Sequence, residues 1–119
     1  MKPETICVQA GYTPKNGEPR VMPIYQSTTY KYDSAQTLGE LFDLKKDGHM
    51  YSRISNPSVA FVEDKVSQLE GGIGALMTSS GQAAILISVL NLCSAGDNFV
   101  CSSAIYGGTV KLFSVTLKR

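Results

Sequence analysis

The sequence predicts an α/β protein, and three observations carry that expectation. In the second half an apolar run, a break of small residues and an apolar helical stretch follow one another, and the same order then repeats. Strand, turn, helix taken twice implies parallel strands, which need crossover helices because no tight turn can join them. Finally, 119 residues allow one domain and little more, on the usual scale of roughly 100–200 residues per domain.

The elements follow in order. The first twenty-odd residues carry Gly11, Pro14, Asn16, Gly17 and Pro19 among polar side chains, with no helical period, and read as an extended arm. Met22 to Tyr32 is rich in β-branched and aromatic residues, but Ser27, Thr28 and Thr29 keep its middle polar. It reads as a strand or as a second extended stretch. Asp33 or Ser34 can cap a helix whose apolar positions Leu38, Leu41, Phe42 and Leu44 end at Lys45-Lys46-Asp47-Gly48. A clearer helix starts at Asn56-Pro57, an N-cap acceptor followed by the residue suited to the first helical position. Val59, Val62, Val66 and Leu69 form its stripe and Gly71 closes it. Ile73 to Thr78 then reads as a buried strand, Ser79-Ser80-Gly81 as a break and Gln82 to Cys93 as an apolar helix beginning at Gly81 or Gln82. Asn98 to Ser102 repeats the strand signal, Tyr106-Gly107-Gly108 the break, and Thr109 onward the helix. The sequence stops inside that helical pattern with two strands of a sheet that needs more, so a fragment of a longer protein is expected. There is no internal repeat and no low-complexity segment.

Composition excludes several classes of function. Eleven Lys and Arg against ten Asp and Glu give a net charge of +1, with no basic block to follow a phosphate backbone, so nucleic acid is not the expected partner. The charged fraction is 18%, against roughly 25% in an average soluble protein, which suggests that part of the surface is covered by something. The apolar stretch from Ala83 to Leu92 falls far short of a membrane span. Met1 to Ala10 has no apolar signal region, and the expected location is cytoplasmic. Cys7, Cys93 and Cys101 lack metal-ligand spacing and have only His49 to help them. They read as reduced structural thiols, with no metal.

Three segments can carry chemistry. Where Met77-Thr78-Ser79-Ser80-Gly81-Gln82-Ala83-Ala84 passes into a helix, consecutive amides point outward, Ser adds a hydroxyl and Gly permits close approach. A phosphate fits there, although the segment alone reads equally as an ordinary βα turn that binds nothing. Tyr51-Ser52-Arg53-Ile54-Ser55-Asn56-Pro57 supplies a phenol and a planar guanidinium, both phosphate ligands by chemistry; taken alone it reads as a solvated loop before a helix. Tyr106 beside two glycines at the carboxyl end of a strand can cover a flat cofactor, or simply pack over a turn. Two other patterns fail on context. Gly72-Ile73-Gly74 leaves a helix to enter a strand, the reverse of a dinucleotide fingerprint, and no Gly-x-Ser-x-Gly elbow is present for a serine hydrolase.

Taken together, Tyr51-x-Arg53-x-x-Asn56-Pro57, Ser80-Gly81-Gln82-Ala83-Ala84 and Tyr106-Gly107-Gly108-Thr109, in this order and spacing, resemble the trans-sulfuration family of pyridoxal-phosphate enzymes. Asn16-Gly17 and Pro23-Ile24-Tyr25-Gln26-Ser27-Thr28-Thr29-Tyr30 are most similar to its O-acetylhomoserine sulfhydrylase branch, and the likeness covers nearly the whole chain. The resemblance implies residues 1–56 as an extended arm with one helix and a subunit-contacting loop, and 57–119 as the truncated start of the large, cofactor-binding α/β domain of a type I pyridoxal-phosphate transferase fold. It implies that Ser80, Gly81 and Gln82 hold the phosphate of pyridoxal 5'-phosphate. Tyr51 and Arg53 would reach the phosphate of a neighbouring subunit's cofactor in a homo-oligomer. Tyr106 would stack on the pyridine ring and act as a catalytic acid or base.

Gln82, where many relatives have Met, and Gly108, where methionine γ-lyases commonly have Cys, both favour sulfhydrylase over lyase. The family's Schiff-base lysine, its Asp partner for the pyridine nitrogen and the Arg that grips the substrate carboxylate have no counterpart in this sequence. The expected activity is that of a transferase in methionine biosynthesis, which converts O-acetylhomoserine plus sulfide or a thiol to homocysteine or methionine and acetate. The alternatives are a cystathionine synthase or γ-lyase parent, a non-catalytic piece that only binds phosphate or associates with other chains, and a self-contained phosphate-binding module.

Overall fold

A computed structural model describes residues 1–118. The chain divides into two compact units, Met1–Leu76 and Met77–Arg119. This division follows compactness, whereas the one at 56/57 concerned what each segment is expected to contact.

The first unit holds three helices, α1 (Pro3–Gln9), α2 (Ala35–Phe42) and α3 (Pro57–Glu70). α1 departs from the expected extended arm. Pro3 opens it, which suits a position whose amide has no helical acceptor, but seven residues are too few to hold a helix in water without tertiary contacts. Those contacts come from α3, on which α1 packs. Lys65 Nζ donates to Cys7 O at 2.9 Å and lies 4.5 Å from the Phe61 ring centroid, while Tyr12 meets Phe61 edge-on at 6.4 Å. Gly11 sits at the crossing with φ +86°, and a Cβ there would fall 2.5 Å from Phe61 O, so only glycine fits.

α2 is capped as expected, Ser34 Oγ accepting from Thr37 N at 3.1 Å, and it buries Leu41. It ends at Phe42, short of Lys45-Lys46-Asp47-Gly48, because Leu44 turns to φ +56° and points its side chain into solvent. α3 has the expected cap, Asn56 Oδ1 accepting from Ser58 N at 2.9 Å, and the expected stop, Gly71 at φ +66°. Its Val59, Val62, Val66 and Leu69 stripe is the more exposed side; Ala60 and Phe61 lie on the better-covered one. Met22 to Tyr32 forms no ladder. Its pairing is a single antiparallel bridge, Thr29 with Tyr51, beside which Ser52 N donates to Thr28 O at 2.9 Å.

The second unit holds α4 (Gly81–Leu92), α5 (Gly107–Lys111) and a π-helical turn, Leu112–Thr116. Ser80 caps α4, its Oγ accepting from Ala83 N at 3.1 Å, and α5 packs against α4. Phe99 and Phe113 meet edge-on at 4.9 Å. The two expected strands do not form. Ile73 to Thr78 and Asn98 to Ser102 carry neither helix nor ladder, and Ile73 and Val100 are fully exposed. A strand exists only through ladder hydrogen bonds to a neighbour, and among the described residues the one isolated β-bridge, Thr29 with Tyr51, lies in neither segment. Helices satisfy their own backbone, and so the crossover helices stand while the sheet between them is missing. α4 is apolar all round, as a helix covered on several sides would be, yet Ile87, Leu90 and Leu92 face solvent. Arg119, the last residue of the expected terminal helix, lies outside the described residues.

Candidate functional site

The start of α4 arises from local chemistry. Ser80 is extended, with φ −163° and ψ 157°, and folds its hydroxyl back onto the Ala83 amide, while its carbonyl takes the Ala84 amide at 3.0 Å. The first amides of a helix have no carbonyl one turn back, so those of Gly81 and Gln82 point out along the axis at the positive end of the helix dipole. Thr78 Oγ1 donates to Ser80 O at 2.9 Å and fixes the approach to this turn. A Cβ on Gly81 would meet nothing within 4 Å, so the space beside its Cα is open.

Tyr106 precedes α5 as its N-cap residue and is 75% exposed. A Cβ at Gly108 would fall 2.7 Å from Tyr106 Cε1 and 2.8 Å from Gln82 Nε2, which places the phenol ring and the Gln82 amide side by side over Gly108. Gln82 Nε2 donates to Thr109 Oγ1 at 3.3 Å, and Thr109 is only 3% exposed. The fold therefore brings Gln82 and Tyr106, 24 residues apart in sequence, onto one glycine. Thr109 ends the Tyr106-Gly107-Gly108-Thr109 pattern, where nothing in the sequence marks it for burial. Its burial behind Gln82 became visible only once α5 was packed on α4.

Tyr51 and Arg53 belong to the first unit. The guanidinium carbon stands 5.1 Å from the Tyr51 ring centroid, within the range of a cation–π contact. Ser52, between them, is tied down by its neighbours: Asn56 Nδ2 donates to Ser52 Oγ at 2.9 Å and to Tyr25 O at 3.0 Å, and Tyr30 Oη lies 3.1 Å from Ser52 Oγ. Sequence reading missed this network; the available signal was a Ser and an Asn inside the same loop motif. A concavity of about 670 Å³ in the first unit, lined among others by Val8, Tyr12, Val21 and Phe61, includes none of the expected binding residues. No group of His, Cys, Asp and Glu that could hold a metal occurs among the described residues, and no described helix is long and apolar enough to cross a membrane.

Outward amides, the Ser80 hydroxyl and an exposed phenol ring that the fold brings beside Gln82 form a donor set suited to a phosphate ester that carries a flat ring. A phosphorylated pyridine is such a group, and the residues present fit it.

The chain belongs to the Cys/Met metabolism PLP-dependent enzyme family, whose profile matches residues 4–119. It is 46% identical over 123 aligned positions to O-acetyl-L-homoserine sulfhydrylase 1 of Thermus thermophilus, an alignment that covers 100% of this chain and 28% of that protein. To the O-acetyl-L-homoserine sulfhydrylase of Corynebacterium glutamicum it is 44% identical, over 98% of this chain and 27% of that one. The match falls on the N-terminal part of these relatives, so the chain spans less than a third of their length. Among solved structures, a Campylobacter jejuni protein described as an O-acetylhomoserine (thiol)-lyase, bearing a pyridoxyl-lysine 5'-monophosphate, superposes with a TM-score of 0.92 at 36% identity. It covers 99% of this chain and 29% of its own. Cystathionine gamma-lyase from Lactobacillus plantarum gives 0.81 at 32% identity, with the same coverage. The type I pyridoxal-phosphate fold expected from the sequence is thus the fold of its structural neighbours, of which this chain is one part.

Proposed function

We propose that this chain is the N-terminal part of a cytoplasmic, homo-oligomeric transferase that exchanges the acetyl group of O-acetylhomoserine for sulfide or a small thiol. The reading is supported by relatives bearing the sulfhydrylase name at 46% and 44% identity along essentially the whole chain. The observation that carries the site assignment is the meeting of Gln82 and Tyr106 over Gly108 at the open start of α4. When bound, pyridoxal phosphate supplies an electron sink for the substrate's α carbon.

The chain's own residues then divide the work. The Gly81 and Gln82 amides and the Ser80 side of the turn hold the phosphate, since this is where the helix dipole and unpaired donors coincide. Tyr106 lies against the pyridine ring, excludes water from that face, and can hold or move a proton at its phenolic oxygen. Gln82, steadied by Thr109, keeps the phosphate end and the Tyr106 ring in register. Tyr51 and Arg53 serve the phosphate bound to a neighbouring subunit, the guanidinium as a charged fork and the phenol as a donor. On this reading residues 1–56 face another subunit and 57–119 begin the cofactor-binding domain.

The test is to supply the full-length enzyme with O-acetylhomoserine and sulfide and to measure homocysteine and acetate. Equimolar appearance of both is expected. Release of a 2-oxo acid and ammonia in place of homocysteine would identify a γ-lyase instead. In a second measurement, replacing Arg53 by Ala should weaken cofactor binding by about 1.5–3 kcal/mol, the range for a hydrogen bond to a charged group. Unchanged affinity would remove Arg53 from the site.

A further inference from the structure

Ser52 stands between the two expected phosphate ligands of the first unit, and its bonding can be assigned proton by proton. The Ser52 hydroxyl donates to Ser27 O. Having given its one proton away, Ser52 Oγ can only accept from its other neighbours. Asn56 Nδ2 has two protons, and its two shorter contacts, 2.9 Å to Ser52 Oγ and 3.0 Å to Tyr25 O, use both. Tyr30 Oη, 3.1 Å from Ser52 Oγ, is then the second donor to Ser52 and the weaker third neighbour of Asn56, at 3.2 Å.

Asn56 is only 9% exposed, and its Oδ1 caps α3 through Ser58 N at 2.9 Å. Ser58 Oγ in turn donates to Pro23 O at 3.1 Å and accepts from Tyr25 N at 2.8 Å. The loop that carries Tyr51 and Arg53 is thereby fastened at one end to the start of α3 and at the other to the 23–30 segment. The Thr29–Tyr51 bridge and the Ser52 N bond to Thr28 O lie directly beside the fastening.

We infer that Ser52, with Tyr30 and Asn56, is a positioning residue that sets Arg53 for the cofactor phosphate and does not itself touch the cofactor. The inference rests on the phosphate role proposed above for Arg53. Its physical basis is entropic. A long Arg side chain on a free loop would lose both loop and rotamer freedom on binding, whereas a loop already held loses only the latter.

The full-length apoenzyme is titrated with pyridoxal phosphate, followed by absorbance and induced circular dichroism, as wild type, Ser52→Ala, Arg53→Ala and the double variant. Ser52→Ala is expected to raise Kd roughly tenfold when Arg53 is present and to add nothing when it is absent, the non-additivity of residues that act through one another. Ser52→Thr, which keeps the hydroxyl, should restore wild-type affinity. Tyr30→Phe should give the same non-additive pattern as Ser52→Ala, and it carries the test if Ser52→Ala does not fold. Equal effects of Ser52→Ala in both backgrounds, or no effect beside a large Arg53→Ala effect, would overturn the positioning role while leaving the phosphate role standing. If Arg53→Ala itself leaves Kd unchanged, the phosphate role fails and the positioning role with it.

Discussion

Replacing Gly108 by Ala separates stability from function at the point where the two motifs meet. An added Cβ would lie 2.7 Å from Tyr106 Cε1, 3.2 Å from Tyr106 Cδ1 and 2.8 Å from Gln82 Nε2. None of these atoms is backbone. Tyr106 is 75% exposed and its ring can swing outward, and the Gln82 amide is the far end of a flexible side chain. Relief therefore costs about one weak hydrogen bond, the 3.3 Å contact of Gln82 with Thr109, or about 0.5–1.5 kcal/mol. Against that, Ala within a helix is favoured over Gly by about 0.5–1 kcal/mol.

The two nearly cancel, so the unfolding free energy in urea should change by less than about 1 kcal/mol. On the role proposed for Tyr106, the displaced ring would lose its stacking on the pyridine, worth about 0.5–1.5 kcal/mol, so Kd for pyridoxal phosphate should rise by a factor of roughly two to ten. Absorbance titration of the full-length apoenzyme reads the second quantity. Gly107→Ala is the control, since a Cβ there meets nothing within 4 Å, and its Kd should not move. A Gly108→Ala protein destabilised by about 3 kcal/mol or more with unchanged Kd would refute the reasoning, because the backbone rather than the ring would have yielded.

Further outcomes are expected. Mixing an Arg53→Ala enzyme with one lacking its Schiff-base lysine should give hybrid oligomers that recover part of the activity; hybrids verified by mass with no recovery would mean that Arg53 serves its own chain. The 119-residue chain by itself should neither turn over O-acetylhomoserine nor, after borohydride reduction with pyridoxal phosphate, carry stoichiometric label on any one lysine. Of its eight lysines, Lys45 pairs with Asp43 at 2.8 Å, Lys46 with Glu40 at 3.5 Å, and Lys65 is bound to Cys7 O. The Tyr12 phenol lies above its ordinary value of 10.0, through desolvation first and then Glu18 and Tyr25. The folded state therefore holds this proton more tightly than the unfolded one, and its contribution, intact below about pH 10, is lost as pH rises further. Urea unfolding of wild type against Tyr12→Phe from about pH 9 to 11 should show a falling difference; a constant difference would contradict the shift.

How legible each feature was in the sequence depended on how far its causes reach along the chain. The caps at Ser34, Asn56 and Ser80 were readable because a side-chain oxygen meets an amide two or three residues away. The α3 boundaries followed from Asn56-Pro57 and Gly71 for the same reason. α1 was not readable, because it leans on α3, whose Lys65 binds Cys7 O from more than fifty residues downstream. The end of α2 moved because Leu44, whose spacing suggested one more helical position, adopts a left-handed turn instead.

The sequence by itself determined the chemistry at each position: a phosphate-ready helix start at Ser80-Gly81-Gln82, an aromatic at Tyr106 and a guanidinium at Arg53, in a spacing that marks the family. Only the tertiary structure decided that Gln82 and Tyr106 share Gly108, that Thr109 backs Gln82, and that Ser52 and Asn56 hold the Tyr51–Arg53 loop. It also decided that Ile73 to Thr78 and Asn98 to Ser102, apolar and strand-like in pattern, form no β-ladder among the described residues. The physical reason is one of range. A helix turn closes its hydrogen bonds within four residues, whereas a strand, and a side-chain contact across a fold, takes its partner from wherever the chain returns.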